Sequence, residues 1–517
     1  MVYRVGVNRK RPELHVTAEV GVFEAPAGAL AAGETLHVFH QFRPHPDAGA
    51  RWAHQVASGL PYGWDVCDDV LAPADDEIDC LAGSSVPVDD TVELFFVTTS
   101  STPGQDAASL RSNSVPHGHR GERAFTVQRA RITDLASSAA EVSDDPSIVS
   151  PLVERLGPVE IDDSAFPVPD LVTPSVIPHG DGWLMLALAL TDDENAQIVV
   201  LTSGDRQHWT VQGPITFSGT PEGIAPDGRP FAPRIAVMTD RDSGENRDVL
   251  FITYPTTGDT GESTDNGTAG SPHETTGYLV GNLDGTTFHT TTPFTVLDHG
   301  HDFTRPRLVH GKRPVVSGLV GSFPSGEDDT WANCLSIPRF LTLRGGHLYQ
   351  DVVGLPTAVR SYTDKAAVFT AQLEVDGDRE GDAVTVDVVD ESGDSLVTVT
   401  HHGDHVAVDR QGDVRRAPLA DGDSDTLTIF IDGPVCEVFA DGGLVSLTTA
   451  LTRTGLVDQF AVTAGGEATV LSTLESLGRS LQRRLAHLDN PEEQERLIRE
   501  AALADRDLAA GIDPAAD

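Results

Sequence analysis

Residues 183–188 read WLMLAL, and after the polar DDEN of 192–195 the chain continues with IVVL at 198–201. Short β-rich runs separated by turn-forming residues are typical of paired strands. The same arrangement recurs at 92–97 and 249–253. The region from about residue 15 to 340 therefore predicts a long series of short strands, which is too long for one sandwich and favours a β-propeller.

A second β-rich region follows, from about residue 360 to 470. Strand-like runs occupy 384–389, 396–399 and 427–431. Asp-Gly pairs at 421–422 and 441–442 supply turns between them. A chain of 517 residues is long enough for two or three domains, so we expect this region to form a separate β-sandwich.

The last part of the chain changes its hydrophobic period. Leucines recur there at intervals of three and four, which predicts an amphipathic helix; they are Leu474, Leu477, Leu481, Leu485 and Leu488. Asn490 and Pro491, followed by acidic residues, then supply the cap and first turn of a second helix. Two interpretations of the leucine stripe stay open: packing on its own chain, or a contact for self-association.

The chain is strongly acidic, with a formal net charge of −43 and only three lysines among 36 basic residues. Molar salt suppresses the self-repulsion of such a chain, because it shortens the Debye length to about 3 Å. We interpret the acidity as adaptation to a salty, halophilic medium. Nucleic acids and anionic membranes are unfavourable partners, because phosphate groups need basic patches.

The four cysteines, Cys67, Cys80, Cys334 and Cys436, form no CxxC pair, so separate buried thiols are favoured over a metal or redox site. A pairing of Cys67 with Cys80 is the alternative. His54, His299, His301 and Asp302 could suggest a metal, but turn histidines are more often surface polar residues, and we expect no metal and no cofactor. Because residues 1–10 have no apolar core of a signal peptide, the expected location is cytoplasmic.

Several fragments share an order along the chain. They are GVFEAPAG at 21–28, FHQFRP at 39–44, WAHQVAS at 52–58, CLAGSSV at 80–86, LDHGHDFT at 297–304, LSIPR at 335–339 after Trp331, and CEVFADGG at 436–443. Together they resemble the motifs of glycoside hydrolase family 32, the invertases, inulinases and levanases. Each fragment alone is weak, but in register over more than 400 residues they are strong evidence for the fold.

The resemblance implies an all-β architecture, a five-bladed β-propeller followed by a β-sandwich. We accordingly expect the propeller at residues 1–343, the sandwich at 344–472 and a short helical, acidic tail at 473–517. The function must still be argued from the site, because one fold hosts many activities.

The carboxylates that the resemblance implies are missing from this sequence. Family members carry the nucleophile in Trp-Met-Asn-Asp-Pro-Asn-Gly, a stabilising carboxylate in Arg-Asp-Pro and the acid/base in Glu-Cys-Pro. The matching positions here read Ala25, Val168 and Phe231. Retaining glycosidases need two carboxyl groups about 5 Å apart, and three apolar residues supply none.

Other acidic residues lie near these positions. Glu24 precedes Ala25 and would need a bulge to face the same side of its strand. Asp170 lies two residues after Val168, and Glu222 lies on a loop before Phe231 with Asp227. In so acidic a chain, we interpret them first as solvated surface charges. The resemblance places the sugar-binding candidates at Gln41, Trp52, Ser84 and Asp302, with a buried structural role for Trp52 as the alternative.

These observations support three hypotheses. The first is a catalytically degenerate β-fructosidase-like protein that binds sugar or regulates sucrose or fructan metabolism, beside a paralogue or as a self-associating protein. The second is an active retaining β-fructofuranosidase with relocated carboxylates. The third is a structural propeller with a closed mouth. A fructose-containing sugar, sucrose or fructan, is the expected ligand of the first two.

Overall fold

The computed structural model describes eleven stretches of the chain and six isolated positions between or after them. They are residues 11–74, 76–101, 123–143, 145, 147–190, 196–219, 230–256, 273–311, 313–321, 331–379, 381–420 and 425–478, with 490, 491, 494, 496 and 499. Within these residues no helix is long and apolar enough to cross a membrane.

Five sheets form the first part of the molecule, and we name them blades I to V. Blade I contains β1 (Gly21–Ala32), β2 (Thr35–Arg43), β3 (Arg51–Ser58) and β4 (Trp64–Val66). Blade II contains β5 (Asp79–Val88), β6 (Thr91–Ser101), β7 (Arg123–Ile132) and β8 (Val153–Pro158). Blade III contains β9 (Glu160–Asp162), β10 (Asp170–His179), β11 (Gly182–Leu190), β12 (Ala196–Ser203) and β13 (His208–Pro214).

The remaining blades close the ring. Blade IV contains β14 (Thr216–Ser218), β15 (Phe231–Thr239), β16 (Asn246–Thr256), β17 (His273–Asp284) and β18 (Thr287–Val296). The strand β21 (Trp331–Ala332) pairs in parallel with β1 and so joins the end of the ring to its start. Blade V contains β19 (Phe303–Val309), β20 (Val315–Val320), β22 (Cys334–Leu335), β23 (Arg339–Arg344) and β24 (His347–Asp351).

Five hydrophobic clusters fill the interfaces between neighbouring blades, one for each pair around the ring. The WLMLAL run lies in β11 and is buried on both faces, because blades II and IV cover it from either side. The innermost strands β1, β5, β10, β15 and β19 contact one another in this order and surround the central axis. The fold is therefore the five-bladed propeller that the family resemblance implies.

Two further sheets of five strands pack face to face as the sandwich. The first contains β25 (Ala367–Glu374), β30 (Thr426–Asp432), β31 (Val435–Ala440), β32 (Val445–Ala450) and β34 (Thr469–Leu477). The second contains β26 (Ala383–Asp390), β27 (Ser395–His401), β28 (His405–Arg410), β29 (Asp413–Pro418) and β33 (Val457–Gly465). Two short helices, α1 (Leu135–Ala140) and α2 (Leu355–Tyr362), lie in blade II and between the two domains.

The structure corrects both predicted domain boundaries. Blade V includes β24, so the propeller extends to Asp351 rather than to residue 343. The sandwich extends to Leu477 rather than to 472, because β34 pairs antiparallel with β25. Leu474 and Leu477 consequently lie in a strand and not in a helix, since the hydrogen bonds offered by the edge of β25 outweigh the leucine spacing.

The other predictions for the tail and the cysteines have mixed outcomes. Leu481, Leu485 and Leu488 lie outside the described residues. The second helix is confirmed at its start, where the amide of Gln494 donates to the Asn490 carbonyl at 3.1 Å and Pro491 is helical. All four cysteines are buried and free, so Cys67 and Cys80 are not paired.

Candidate active site

Each innermost strand of the propeller carries an irregularity in its pairing near its start. The breaks fall at Phe23/Ala25, Leu81/Ser84, Val172/Ser175, Phe231/Arg234 and Thr304/Arg307. Bulges of this kind re-aim side chains and are common beside active sites. We call the ring of bulges the mouth of the propeller.

Three residues of the mouth have a left-handed backbone. Thr173, Ala232 and Arg305 have φ of 54°, 49° and 51°, and each precedes a proline. Such conformations are costly for residues other than glycine and cluster at functional sites. The same strained step, repeated in three blades, marks the mouth as the candidate active site.

Ala25 lies in the mouth, where it is paired with Gln41 on β2 and followed by Pro26. Its methyl group is half-buried and packs against the cluster between blades I and II. Phe231 opens β15, and its ring lies 5.6 Å from the Arg305 guanidinium, measured to the ring centre. Two of the three positions named from the sequence are therefore brought to one end of the axis.

Val168 lies elsewhere, before the start of β10. Its amide donates to the Asp163 carboxylate at 3.1 Å, and its side chain packs between blades II and III. The bulge of β10 holds Thr173 instead, whose hydroxyl is buried without a hydrogen-bond partner. Both Val168 and Thr173 precede a proline, and only their distance from the strand distinguishes them. In the sequence, the position of each residue relative to the predicted strand was the one signal that could have separated Thr173 from Val168.

Glu24 lies in the bulge of β1. The sequence predicts that Glu24 can face the mouth only if such a bulge is present. Its carboxylate accepts a hydrogen bond from the Gln41 amide at 2.5 Å and from Arg43 at 2.7 Å. The other end of the Gln41 amide accepts from the backbone of Ala82 at 2.6 Å. Gln41 thus lies beside Ala25, with both ends of its amide already engaged.

Glu274, which sequence reasoning missed, supplies a second carboxylate near the mouth. It lies on β17 and accepts from Arg305 at 2.9 and 3.2 Å, and from the Thr304 hydroxyl. The same Arg305 donates to the Glu24 carbonyl at 3.3 Å and so spans from blade V to blade I. Glu24 and Glu274 are thus each held by an arginine side chain.

Two predicted sugar contacts are wrong. Trp52 is fully buried, donates its indole N–H to the Leu81 carbonyl at 3.2 Å and packs edge-to-face on Phe96. Asp302 faces the sandwich, where it accepts from Arg410 at 2.9 Å and from the Ala450 amide at 2.7 Å. Burial there raises the pKa of Asp302 to about 6, although Arg410 acts in the opposite direction. Both side chains serve packing or domain contacts.

The remaining candidates divide between the axis and the periphery. Ser84 lines the axis below the mouth, where its hydroxyl accepts from the Val176 amide at 3.0 Å. Asp170 begins β10 and is paired with Leu190, three residues before the bulge residue Thr173. Glu222 and Asp227 lie outside the described residues.

The histidines that could suggest a metal do not come together in the described part of the chain. His301 contacts the Thr449 hydroxyl at 2.9 Å, while His54 lies in blade I beside His37 at 3.0 Å. Among the described residues, donor atoms of His401, Asp425 and Asp441 lie within 4.8 Å of one another in the sandwich. These groups already accept backbone amides: His401 from Gly403, Asp425 from Val375, and Asp441 from Ala420.

Known proteins resemble this chain in sequence and in fold. Residues 164–352 match the family described as glycosyl hydrolases family 32 N-terminal domain. The sucrose-6-phosphate hydrolase of Bacillus subtilis (strain 168) is 26% identical over 462 residues, which cover 84% of this chain and 87% of that protein.

Two solved structures share the fold. A β-fructofuranosidase of Bombyx mori in complex with sucrose has a TM-score of 0.66 and 19% identity, over 91% of this chain and 94% of that one. The sucrose-6-phosphate hydrolase of Lactobacillus gasseri has a TM-score of 0.66 and 16% identity, over the same shares of 91% and 94%. At these identities the likeness concerns the arrangement of propeller and sandwich.

Proposed function

Because the chain belongs to glycoside hydrolase family 32, we propose that it is a member that binds a fructose-containing sugar without hydrolysing it. The observation that carries the proposal is the chemistry of the mouth. Retaining glycosidases use two carboxyl groups about 5 Å apart, one as nucleophile and one as acid/base. The positions in the mouth are occupied by Ala25, Thr173 and Phe231, and none of these side chains can fill either role.

Thr173, in place of Val168, is our assignment for the stabilising position on β10. Thr173 shares with Ala25 a position just before a proline and within the bulge of an innermost strand. Val168 meets only the first of these conditions. Assigning Thr173 instead of Val168 leaves the proposal unchanged, because a threonine hydroxyl can form a hydrogen bond with a sugar hydroxyl but cannot supply the missing negative charge.

The surviving acidic groups support binding more than catalysis. Glu24 and Glu274 are each held by an arginine side chain, and a carboxylate has more acceptor sites than one arginine uses, so each can accept a hydrogen bond from a sugar hydroxyl. Arg305 lies between them with a partly exposed side chain. This set of acceptors and a cation suits sucrose, a fructan end or a phosphorylated sucrose.

Calorimetric titration of the purified protein in molar KCl with sucrose, sucrose 6-phosphate and fructose tests the proposal. We expect saturable binding of at least one of these sugars and about a tenfold weaker affinity for Glu24→Gln, the loss of a charged hydrogen-bond acceptor. Glu374→Gln is the matched control, because Glu374 is exposed on the sandwich. Absence of binding to every sugar would favour a closed mouth, in which Arg305 over the Phe231 ring acts as a plug.

The bulge at Glu24 favours one alternative, an active hydrolase with relocated carboxylates. In that case Glu24 would act as nucleophile and a second carboxyl group of the mouth as acid/base. Fructose release that disappears in Glu24→Gln would establish this alternative. Binding without release would exclude it.

A further inference from the structure

The axis of the propeller below the mouth is lined by cationic and hydroxyl groups from the innermost strands. Ser84, Ser85, Ser175, Arg234, Arg307 and His310 border one small space there. The space has room for little more than one water molecule or one small ion. No carboxylate belongs to its described lining.

Arg234 and Arg307 are buried in this lining, and their hydrogen bonds are incomplete. Arg234 donates to the carbonyls of Pro233 at 2.5 Å, Thr173 at 3.2 Å and Gly83 at 3.5 Å, and Arg307 donates to that of Pro26. The Nε of Arg234 and the Nε and Nη1 of Arg307 have no hydrogen-bond partner. Among the described residues, neither guanidinium has a carboxylate within 4.0 Å. Buried charges are normally paired, so this arrangement requires a counter-charge.

The two guanidinium groups also repel one another. Burial lowers the pKa of Arg307, and the nearby charge of Arg234 lowers it further. Burial lowers the pKa of Arg234 to about 9. Both groups remain protonated at neutral pH only at a free-energy cost, which an anion placed beside them would reduce.

We propose that the axis of the propeller binds one small inorganic anion of the size of chloride, held by Arg234 and Arg307 with serine hydroxyls as further donors. The hydroxyls of Ser84 and Ser175 can rotate to donate to an anion, as arginine N–H groups do, whereas that of Ser85 donates to the Ala29 carbonyl at 3.3 Å. The size of the space excludes a sugar or a nucleotide. The lining residues flank the bulges of the mouth, but none of the residues on which the proposed function rests borders this space. Either proposal can therefore hold without the other.

Thermal unfolding at a constant 2 M potassium tests the proposal, with gluconate replaced stepwise by chloride up to about 1 M. Gluconate is too large for the space. We expect the wild-type melting temperature to rise by several degrees and to saturate with chloride. Arg307→Met should lose this increment. Arg313→Met, which removes a half-buried arginine that is paired with Asp351 outside the axis, should keep it.

A wild-type protein without a chloride-specific increment would overturn the proposal, as would an increment that persists in Arg307→Met. If Arg307→Met fails to fold, crystals of the wild type soaked in bromide test whether the space binds an anion. Anomalous scattering should then show a bromide between the two guanidinium groups. Density there without a bromide signal would mean that water fills the space and would also overturn the proposal.

Discussion

Two buried arginine sites in this protein have opposite surroundings. Arg339 lies between propeller and sandwich and is fully enclosed, with Asp298 at 2.9 Å and Glu437 at 2.6 Å. Burial alone would lower the pKa of Arg339, but Glu437 and Asp298 raise it. Arg234 and Arg307 on the axis are also buried and have no such partners among the described residues. The buried arginine at the interface has carboxylate partners, whereas those on the axis have none among the described residues.

Three side chains of the interface network lie in fragments that carry the resemblance to glycoside hydrolase family 32. Asp298 belongs to LDHGHDFT, Arg339 to LSIPR and Glu437 to CEVFADGG. His15 joins them, with its ring nitrogens 2.8 Å from Asp432 and 3.1 Å from Glu437. The recognisable motifs therefore hold the two domains together. Their presence is evidence for the fold and says little about the chemistry at the mouth.

The largest expected effect is that of Arg339→Met. It would leave Asp298 and Glu437 buried without their cation, and breaking a buried ion pair on one side costs about 3–5 kcal/mol of unfolding free energy. Denaturant unfolding in molar KCl measures the loss. Arg247→Met is the control, because the pair of Arg247 with the exposed Glu245 should contribute less than about 1 kcal/mol. Equal losses of unfolding free energy in Arg339→Met and Arg247→Met would show that the buried ion pairs stabilise the protein no more than the exposed one.

The pH dependence of stability should identify His15 as part of the interface network. Burial would lower the pKa of His15, but hydrogen bonds and charges of Asp432 and Glu437 raise it to about 9. Its stabilisation is therefore complete below the unfolded pKa of about 6.5 and is lost as the pH rises through 9. Relative to His15→Gln, the wild type should lose on the order of 3 kcal/mol over this range. Parallel pH profiles of the two proteins would show that His15 is not charged in the fold.

The buried histidines of blade I should behave in the opposite sense. Burial lowers the pKa of His40 and of His54 to about 3. Their contribution is lost as the pH falls below about 6.5, because the unfolded chain then takes up protons that the folded chain does not.

The smallest expected change in unfolding free energy is that of an arginine on the axis, and it is a gain in stability rather than a loss. In a chloride-free medium, Arg234→Met should raise the free energy of unfolding by about 1 kcal/mol, because it removes an unpaired buried charge and keeps an apolar side chain of similar length. Denaturant unfolding in potassium gluconate measures the change. A loss as large as that of Arg339→Met would show that Arg234 has a compensating partner, and the comparison would fail.

Much of the fold could be predicted from the sequence, because blades and sandwich repeat short strands with turn signals between them. The structure of the tail could not be predicted, because residues up to Leu477 pair with β25 as a strand although their leucines also fit a helical period. At the site, motif order predicts Ala25 and Phe231, which both lie in the mouth, whereas Val168 was predicted from an alignment to a proline and lies before the start of β10. Trp52 and Asp302 matched binding motifs, yet inter-blade and inter-domain packing engage them.

Two features of the axis and the mouth had no sequence signal. Arg234 and Arg307 lie 73 positions apart, and only ring closure brings them to one space. Glu274 is one of 79 acidic residues until β17 places it beside Arg305. Single residues in a highly acidic chain carry little information before the blades are assembled.

Release of fructose by the purified protein tests the central claim most directly. Sucrose, sucrose 6-phosphate, inulin and levan are offered in molar KCl, with a buffer blank and Glu24→Gln in parallel. We predict no fructose above the blank from any of them. Clear turnover by the wild type, lost in Glu24→Gln, would contradict the account and show that a relocated carboxylate performs the chemistry.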